Sequence, residues 1–326
     1  MPHRKVNRNQ LSGPLVLFPG SLGDVLCCLP ALEEIGRLTV GGQVSVAVRG
    51  EGLHQVMQPL PFVNSVFSLE SGLFAQLFSP STLISAEARQ FFSSFSAIYS
   101  WFGHTQPEVR TNLERLTPGP VQSWAFFTGQ EACHAGVYYL RCVGSTERRC
   151  PSLFIGEAER KWLDDYWAQN GWLPCSRLLL LHPGSGGRKK RWAAEGFVAI
   201  AQWWRQQRKG VVIVLLGPAE EGEESQWRHI GQVEHNRSLL QTAALLSRAA
   251  LYVGNDSGIS HLAGAVGARG VVIFGPTQPW QWRPLGGSLI VIHNAAYRTA
   301  KPEEAGVALA EIPPETVIAE FIRQGG

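Results

Sequence analysis

Leu178-Leu179-Leu180-Leu181-His182-Pro183-Gly184-Ser185-Gly186-Gly187-Arg188-Lys189-Lys190-Arg191-Trp192 is the stretch that decides the fold. Leu178–His182 is a short apolar run bounded by turn residues, which predicts a strand covered on both faces. Pro183 and the glycines stop it and open a loop. Beyond Trp192, Phe197, Ile200, Ala201 and Trp204 recur at helical spacing and predict a helix over Ala194–Gln207. Val211–Leu216 is again purely apolar. Strand, glycine loop, helix and strand form the βα unit of a mostly parallel sheet.

The same rhythm continues downstream. Leu239–Arg248 reads as a helix, Leu251–Gly254 as a strand, Ser257–Val266 as a helix and Val271–Phe274 as a strand. Upstream, Leu15–Phe18 is a first strand, followed by Pro19-Gly20-Ser21-Leu22-Gly23 and a helix with Val25, Cys28, Leu29, Leu32 and Ile35 on its inner face. Pro30 inside that helix predicts a kink or a later start. Val44–Val48 is a second strand, and Ser65–Leu69 and Ser96–Ser100 are weaker ones. From Pro61 to Arg149 the pattern is poor and rich in Phe, Ser and Trp. Glu157–Gln169 reads as a helix stopped by Gly171 and Pro174. Two halves opening alike predict two α/β domains, residues 1–172 and 173–312. After Pro313-Pro314, the spacing of Val317, Ile318 and Phe321 predicts a last helix over Glu315–Arg323.

Composition narrows the function. The 326 residues are 44% hydrophobic and 17% charged, which suits an ordinary globular chain. A net charge of +3 lacks the basic footprint of a nucleic-acid binder. The six cysteines form no CxxC pair and no zinc-spaced cluster, so reduced, buried thiols of a cytosolic protein are expected. No apolar run approaches the ~20 residues of a membrane helix. The apolar stretch near the start breaks at Pro19-Gly20 and meets Asp24, unlike a signal peptide. A cytoplasmic location with peripheral membrane contact is the expectation.

Three loops follow a strand and precede a helix, where open α/β sheets bind ligands. The first leaves Asp24 at a helix mouth, as a general base for a hydroxyl or as a plain helix cap. The second, with Ser185 and Gly186, exposes backbone N–H groups and is followed by the cations Arg188, Lys189, Lys190 and Arg191. That combination suits a pyrophosphate. The third, Val253 to His261, puts Asp256 near a helix cap, with the N–H groups of Ser257 and Gly258 facing a prospective anion. His261, one turn on, is a donor to a phosphate or sugar oxygen. There is no Walker A loop and no GxGxxG motif. The only aspartates are 24, 164, 165 and 256, so a DxD metal site is impossible and phosphate charge must be met by cations and helix ends.

At these residues the chain resembles glycosyltransferase family 9, the lipopolysaccharide heptosyltransferases. The matching segments are LVLFPGSLGDVLCCLPAL, LLLLHPGSGGRKKRW, VIVLLGPAEE, LYVGNDSGISHLAGAVG and VVIFGPTQPWQW. The resemblance implies a GT-B fold: two Rossmann-like domains, the N-terminal one binding acceptor and the C-terminal one nucleotide-sugar. The helix over 315–323 would pack back on the N-terminal domain. It implies inverting transfer from ADP-heptose to a lipid-linked glycan acceptor at the inner membrane, without metal or other cofactor. Asp24 resembles the base that deprotonates the acceptor, and Lys190 the lysine that meets the donor phosphates. Glu220 falls near the ribose, and Asp256, Ser257, Gly258 and His261 match the segment holding sugar and pyrophosphate. Two departures stand out. Gln278 occupies FGPTQPW where relatives commonly carry Asp, and AIYSWFGH at 97–104 lacks an acidic strand end. His104, after that strand, is the second candidate base. A nucleotide-sugar epimerase or hydrolase, and a non-catalytic sugar-nucleotide binder, are the rival readings. Donor turnover without acceptor marks the former, and tight donor binding without turnover the latter.

Overall fold

A computed structural model describes residues 13–293 and 309–323. Two parallel sheets organise them. The first contains β1 (Leu15–Leu17), β2 (Val44–Val48), β3 (Val63–Ser68), β4 (Ile98–Ser100) and β5 (Val121–Ser123), in the order β3-β2-β1-β4-β5. The second contains β6 (Leu178–His182), β7 (Val211–Leu216), β8 (Gln232–His235), β9 (Leu251–Asn255), β10 (Arg269–Phe274) and β11 (Ser288–His293), in the order β11-β10-β9-β6-β7-β8. All their pairings are parallel. This is the doubly wound α/β architecture expected from the alternating strand and helix patterns.

The described residues divide into two compact units. The first comprises those up to Ser21, Pro30–Glu131 and Tyr138–Glu147; the second comprises Leu22–Leu29, Ala132–Val137 and those from Arg148 onward. The first core sets Leu15, Leu17 and Ile98 against a phenylalanine cluster of Phe74, Phe92 and Phe95. Phe67 and Phe91 meet edge-on at 5.0 Å, a geometry their ring quadrupoles favour. The second core sets Leu179, Leu181, Val214, Val253, Val271 and Ile273 against Phe197 and Trp204.

Two boundary expectations need correction. The helix Glu157–Gln169 lies in the second unit, whose long continuous stretch begins at Arg148 and not at residue 173, and which also takes in Leu22–Leu29 and Ala132–Val137. Tyr166 on this helix donates from its hydroxyl to Glu234 at 2.6 Å, and the Arg248 guanidinium sits 4.1 Å over the Trp167 ring. Sequence spacing showed the helix but not which sheet it covers. The last helix, Pro314–Arg323, packs on the second unit and not on the first. Its buried Val317 and Phe321 join the second core, with Phe321 5.9 Å from both Trp203 and Trp204. Trp192 further ties the approach to this helix by donating from Nε1 to the Ile312 carbonyl at 3.1 Å.

The first helix, Leu22–Leu38, starts at Leu22 and continues through Pro30, so the later start does not occur. Proline forfeits one intrahelical bond and crowds the preceding turn. Burial of Val25, Leu26, Leu29, Leu32 and Ile35, all at most 2% exposed, offsets that loss. In the poorly patterned region, β4 and β5 have three residues each, too short for a visible alternation.

Candidate functional site

The second sheet reverses its winding between β6 and β9. These strands lie side by side, with His182 level with Gly254, while the order runs outward to β7 on one side and β10 on the other. Carboxyl ends of strands diverge at such a point and leave a crevice. The loops after β6 and β9 therefore meet there, and each holds the other. Ser185 Oγ donates to the Asp256 carbonyl at 2.7 Å, and Asn255 Nδ2 donates to the Pro183 carbonyl at 2.8 Å. Asn255 Oδ1 in turn accepts the Trp192 backbone N–H at 2.9 Å.

Lys190 reaches across this junction. Its Nζ donates to Asp256 Oδ2 at 2.8 Å, the carboxylate side chain being 7% exposed and the lysine 36% exposed. A buried carboxylate needs a partner, because an unpaired one pays the full desolvation cost. Asp256 thereby fixes the ammonium at the loop mouth. Ser257 then caps the helix Gly258–Ala265, its side chain accepting the Ser260 N–H. The N–H groups around Ser257 and Gly258 are where helix geometry leaves donors without an intrahelical acceptor. They carry the positive end of the helix dipole.

The four cations after the glycine loop do not act alike. Arg191 is clamped, donating to Glu220 Oε1 at 2.7 Å and Glu223 Oε1 at 2.8 Å. Glu220 is 2% exposed, and its Oε2 accepts the Gly217 N–H at 2.9 Å. This carboxylate lies against the loop: a Cβ added at Gly184 would stand 2.3–2.5 Å from its atoms. Gly186, by contrast, would meet nothing within 4 Å. Expectation treated Arg191 as one of four phosphate-facing cations. The structure makes it a strut between the β6 and β7 loops, because its guanidinium is already forked over two carboxylates.

His261 is 6% exposed on the capped helix. Burial pushes its pKa down to about 4; the charge of Asp256 works against the shift, and His134 and Lys190 add to it. The ring is therefore neutral at pH 7 and donates through one nitrogen. Its Nδ1 lies 3.6 Å from Sγ of Cys27, in the second turn of the first helix. Close approach here depends on Gly23 and Gly258. A Cβ at Gly23 would come within 3.1 Å of the His261 ring, and one at Gly258 within 3.0 Å of Leu22. Asp24 is the third residue of this helix and lies within its first turn, so it is not at the cap position itself.

The family-model match joins these observations to known proteins. Residues 155–308 match the glycosyltransferase family 9 (heptosyltransferase) model. Residues 155–308 form a glycosyltransferase family 9 domain. A comparison with curated proteins finds no match. Among solved structures, a family 9 glycosyl transferase from Veillonella parvula DSM 2008 is 20% identical, covering 97% of this chain and 98% of that one with a TM-score of 0.73. The E. coli ADP-heptose lps heptosyltransferase II is 15% identical, with coverages of 97% and 100% and a TM-score of 0.68. E. coli heptosyltransferase WaaC with ADP-2-deoxy-2-fluoro heptose is 18% identical, with the same coverages and a TM-score of 0.65. The fold is GT-B and the enzyme class is glycosyltransferase.

Within the family 9 domain, the sequence-derived residues Ser185, Lys190, Asp256, Ser257 and Gly258 gather at the β6–β9 junction, and His261 follows one turn into the same helix. Glu220 stands beneath the glycine loop. Two contributors escaped sequence reading. His134 sits in the second unit with Nε2 donating to the Arg283 carbonyl at 2.8 Å and Nδ1 accepting the Gly136 N–H at 3.0 Å. No periodic pattern surrounds it. Cys27 reads as a small apolar residue of a helical face, and nothing local marks its contact with a histidine 234 positions away. Among the described residues, no group of three or more His, Cys, Asp or Glu is placed to hold a metal ion, and no helix is long and apolar enough to cross a membrane.

Proposed function

We propose that this chain transfers a heptose or similar sugar from an ADP-sugar to a lipopolysaccharide core or related glycan, with inversion and without a metal ion. The observation that carries this reading is the Lys190–Asp256 pair beside the Ser257-capped helix, at the switch point of a family 9 domain. Its relatives include an ADP-heptose heptosyltransferase and one bound to an ADP-heptose analogue.

The acceptor hydroxyl attacks the anomeric carbon from the face opposite the ADP. As that bond forms, the bond from carbon to the diphosphate oxygen breaks, and ADP leaves with the electron pair. Lys190, the Ser257 helix start and an N–H of neutral His261 meet the growing phosphate charge, usually the largest catalytic contribution. Glu220, buried with Oε1 on Arg191 and Oε2 on the Gly217 N–H, braces the glycine loop instead of reaching the ribose. The acceptor proton passes to Asp24, a step worth about 10²–10⁴-fold. The work is placed in the cytoplasm, with peripheral contact to the membrane that carries the acceptor.

Asp24→Asn tests this reading. Asn keeps the size of Asp and an acceptor oxygen within the first turn, but cannot take the proton. ADP affinity should stay within about twofold, while transfer from ADP-heptose to a heptose-deficient lipopolysaccharide core falls by at least about a hundredfold. Transfer at the wild-type rate would remove Asp24 from the mechanism and leave His104 as the next base. Equal ADP release with and without acceptor would replace transfer by hydrolysis.

A further inference from the structure

We propose that Cys27 is a positioning residue that fixes His261 in its Nε2–H form, so that the neutral ring presents a hydrogen-bond donor to the diphosphate of the sugar donor. The ligand in this statement rests on the proposed function; the thiol–imidazole pairing does not.

A neutral imidazole carries a single N–H, and its partner at the other nitrogen decides which one. His134 shows the ordinary solution: its Nε2–H donates to one backbone carbonyl and its Nδ1 accepts one backbone N–H. His261 is different. Its Nδ1 faces the Cys27 sulfur at 3.6 Å. Two arrangements fit that distance. Either the thiol donates to Nδ1, or Nδ1–H donates to sulfur. An imidazole lone pair is a strong acceptor and a thiol sulfur a weak one, so the first arrangement wins.

The thiol also keeps its hydrogen. Cys27 is 1% exposed, and burial, followed by the negative charges of Asp24 and Asp256, pushes its ionisation far above the ordinary range. A nucleophilic or redox role is correspondingly suppressed, since the thiolate is the reactive form. With Nδ1 occupied by S–H, the remaining proton lies on Nε2. That edge of the ring is the one that a side chain at position 23 would crowd: Nε2 would lie 3.5 Å from an added Cβ there. Glycine places no side chain against that edge. The opposite tautomer would turn a lone pair toward an anion and repel it.

The experiment uses the full chain with ¹⁵N-histidine and reads the tautomer by long-range nitrogen–proton correlation at pH 7.5. His261→Gln assigns the signal by its loss. Wild type should show the Nε2–H pattern. Cys27→Val, which keeps the site apolar and removes the donor, should move His261 to a mixture or to Nδ1–H, and Cys27→Ser should restore Nε2–H. In parallel, calorimetry with ADP should show about fivefold to tenfold weaker binding for Cys27→Val, recovered in Cys27→Ser. An Nδ1–H pattern in wild type overturns the proposal, as does an unchanged tautomer in Cys27→Val, which would mean the thiol serves only a backbone carbonyl of its own helix. A tautomer that switches while ADP affinity stays constant overturns the diphosphate part. Failure of the wild type to bind ADP strikes the proposed function instead, and leaves the tautomer result standing. A Cys27→Val chain that does not fold is replaced by Cys27→Ala, read in the same way.

Discussion

Both sheets begin with a strand, a Pro-Gly-Ser loop and a helix, yet the two loops are equipped for different work. After β1 the chain enters the helix Leu22–Leu38 at once and places one carboxylate, Asp24, in its first turn. After β6 the chain instead spends Arg188–Lys190 in a tight 3-10 turn before the helix Ala194–Arg208 begins. That detour is braced on both sides, by Arg191 against Glu220 and Glu223, and by Ser185 and Asn255 against the β9 loop. One loop delivers a single charge on a rigid helix. The other builds a cradle whose parts come from three strand ends. The same opening motif therefore says where a site is, while the partners of the loop say what it holds.

The cores behind the two loops differ as well, and the largest expected effect tests that difference. The second core gains the terminal helix through Val317 and Phe321. Phe321→Ala should cost about 3–5 kcal/mol in a denaturant titration, the usual range for a buried aromatic. Ile322→Ala, beside it but 51% exposed, should stay within about 0.5 kcal/mol. Equal effects for the two would mean that the helix is not docked on Trp203 and Trp204.

A somewhat smaller effect concerns pH. The folded pKa of His261 is depressed to about 4 from an ordinary 6.5. Between those values the unfolded chain binds a proton that the folded chain refuses, so stability is complete above about pH 6.5 and is lost as pH falls. The loss from this residue approaches about 3 kcal/mol near pH 4. His182 and His134 are depressed by burial too and act in the same direction. Denaturant midpoints at pH 7.5 and 4.5 should therefore separate clearly in wild type and less in His261→Gln. An identical separation in the variant would show that His261 is not held neutral by the fold.

These contrasts explain what was legible in the sequence. Leu178–His182, Val211–Leu216 and Leu251–Asn255 are covered on both faces, so burial writes itself as unbroken apolar runs. β4 and β5 are three residues long and lie among aromatic side chains that serve tertiary clusters, such as Trp101 stacked on Trp124 at 5.0 Å. Periodicity has too few residues there to speak. At the site, glycine loops and cations were visible because they are local. The division of labour among the cations was not, because the carboxylates that claim Arg191 lie 29 and 32 positions away. The terminal helix showed its apolar face but not its destination, since Val317 and Phe321 suit any apolar surface.

The smallest effect sharpens the loop comparison most directly, because it asks whether Lys190 differs from its clamped neighbour. Lys190→Ala removes a positive charge from the proposed diphosphate site and also leaves Asp256 buried without its partner. Both changes oppose an anion. A charge-assisted hydrogen bond contributes about 1.5–3 kcal/mol, so ADP should bind at least about tenfold more weakly in calorimetry at low salt. The second contribution is separable. Asp256→Asn in the Lys190→Ala background neutralises the orphaned carboxylate while keeping its shape, and should recover part of the lost affinity. The loss that persists in the double variant is the direct contribution of the ammonium. Arg191→Lys, in contrast, disturbs a strut, since lysine cannot fork across Glu220 and Glu223. It should lower stability more than it lowers ADP affinity relative to Lys190→Ala. An unchanged dissociation constant in Lys190→Ala would move the phosphate contact to Arg188 or Lys189, and with it the distinction between a braced loop and a binding loop.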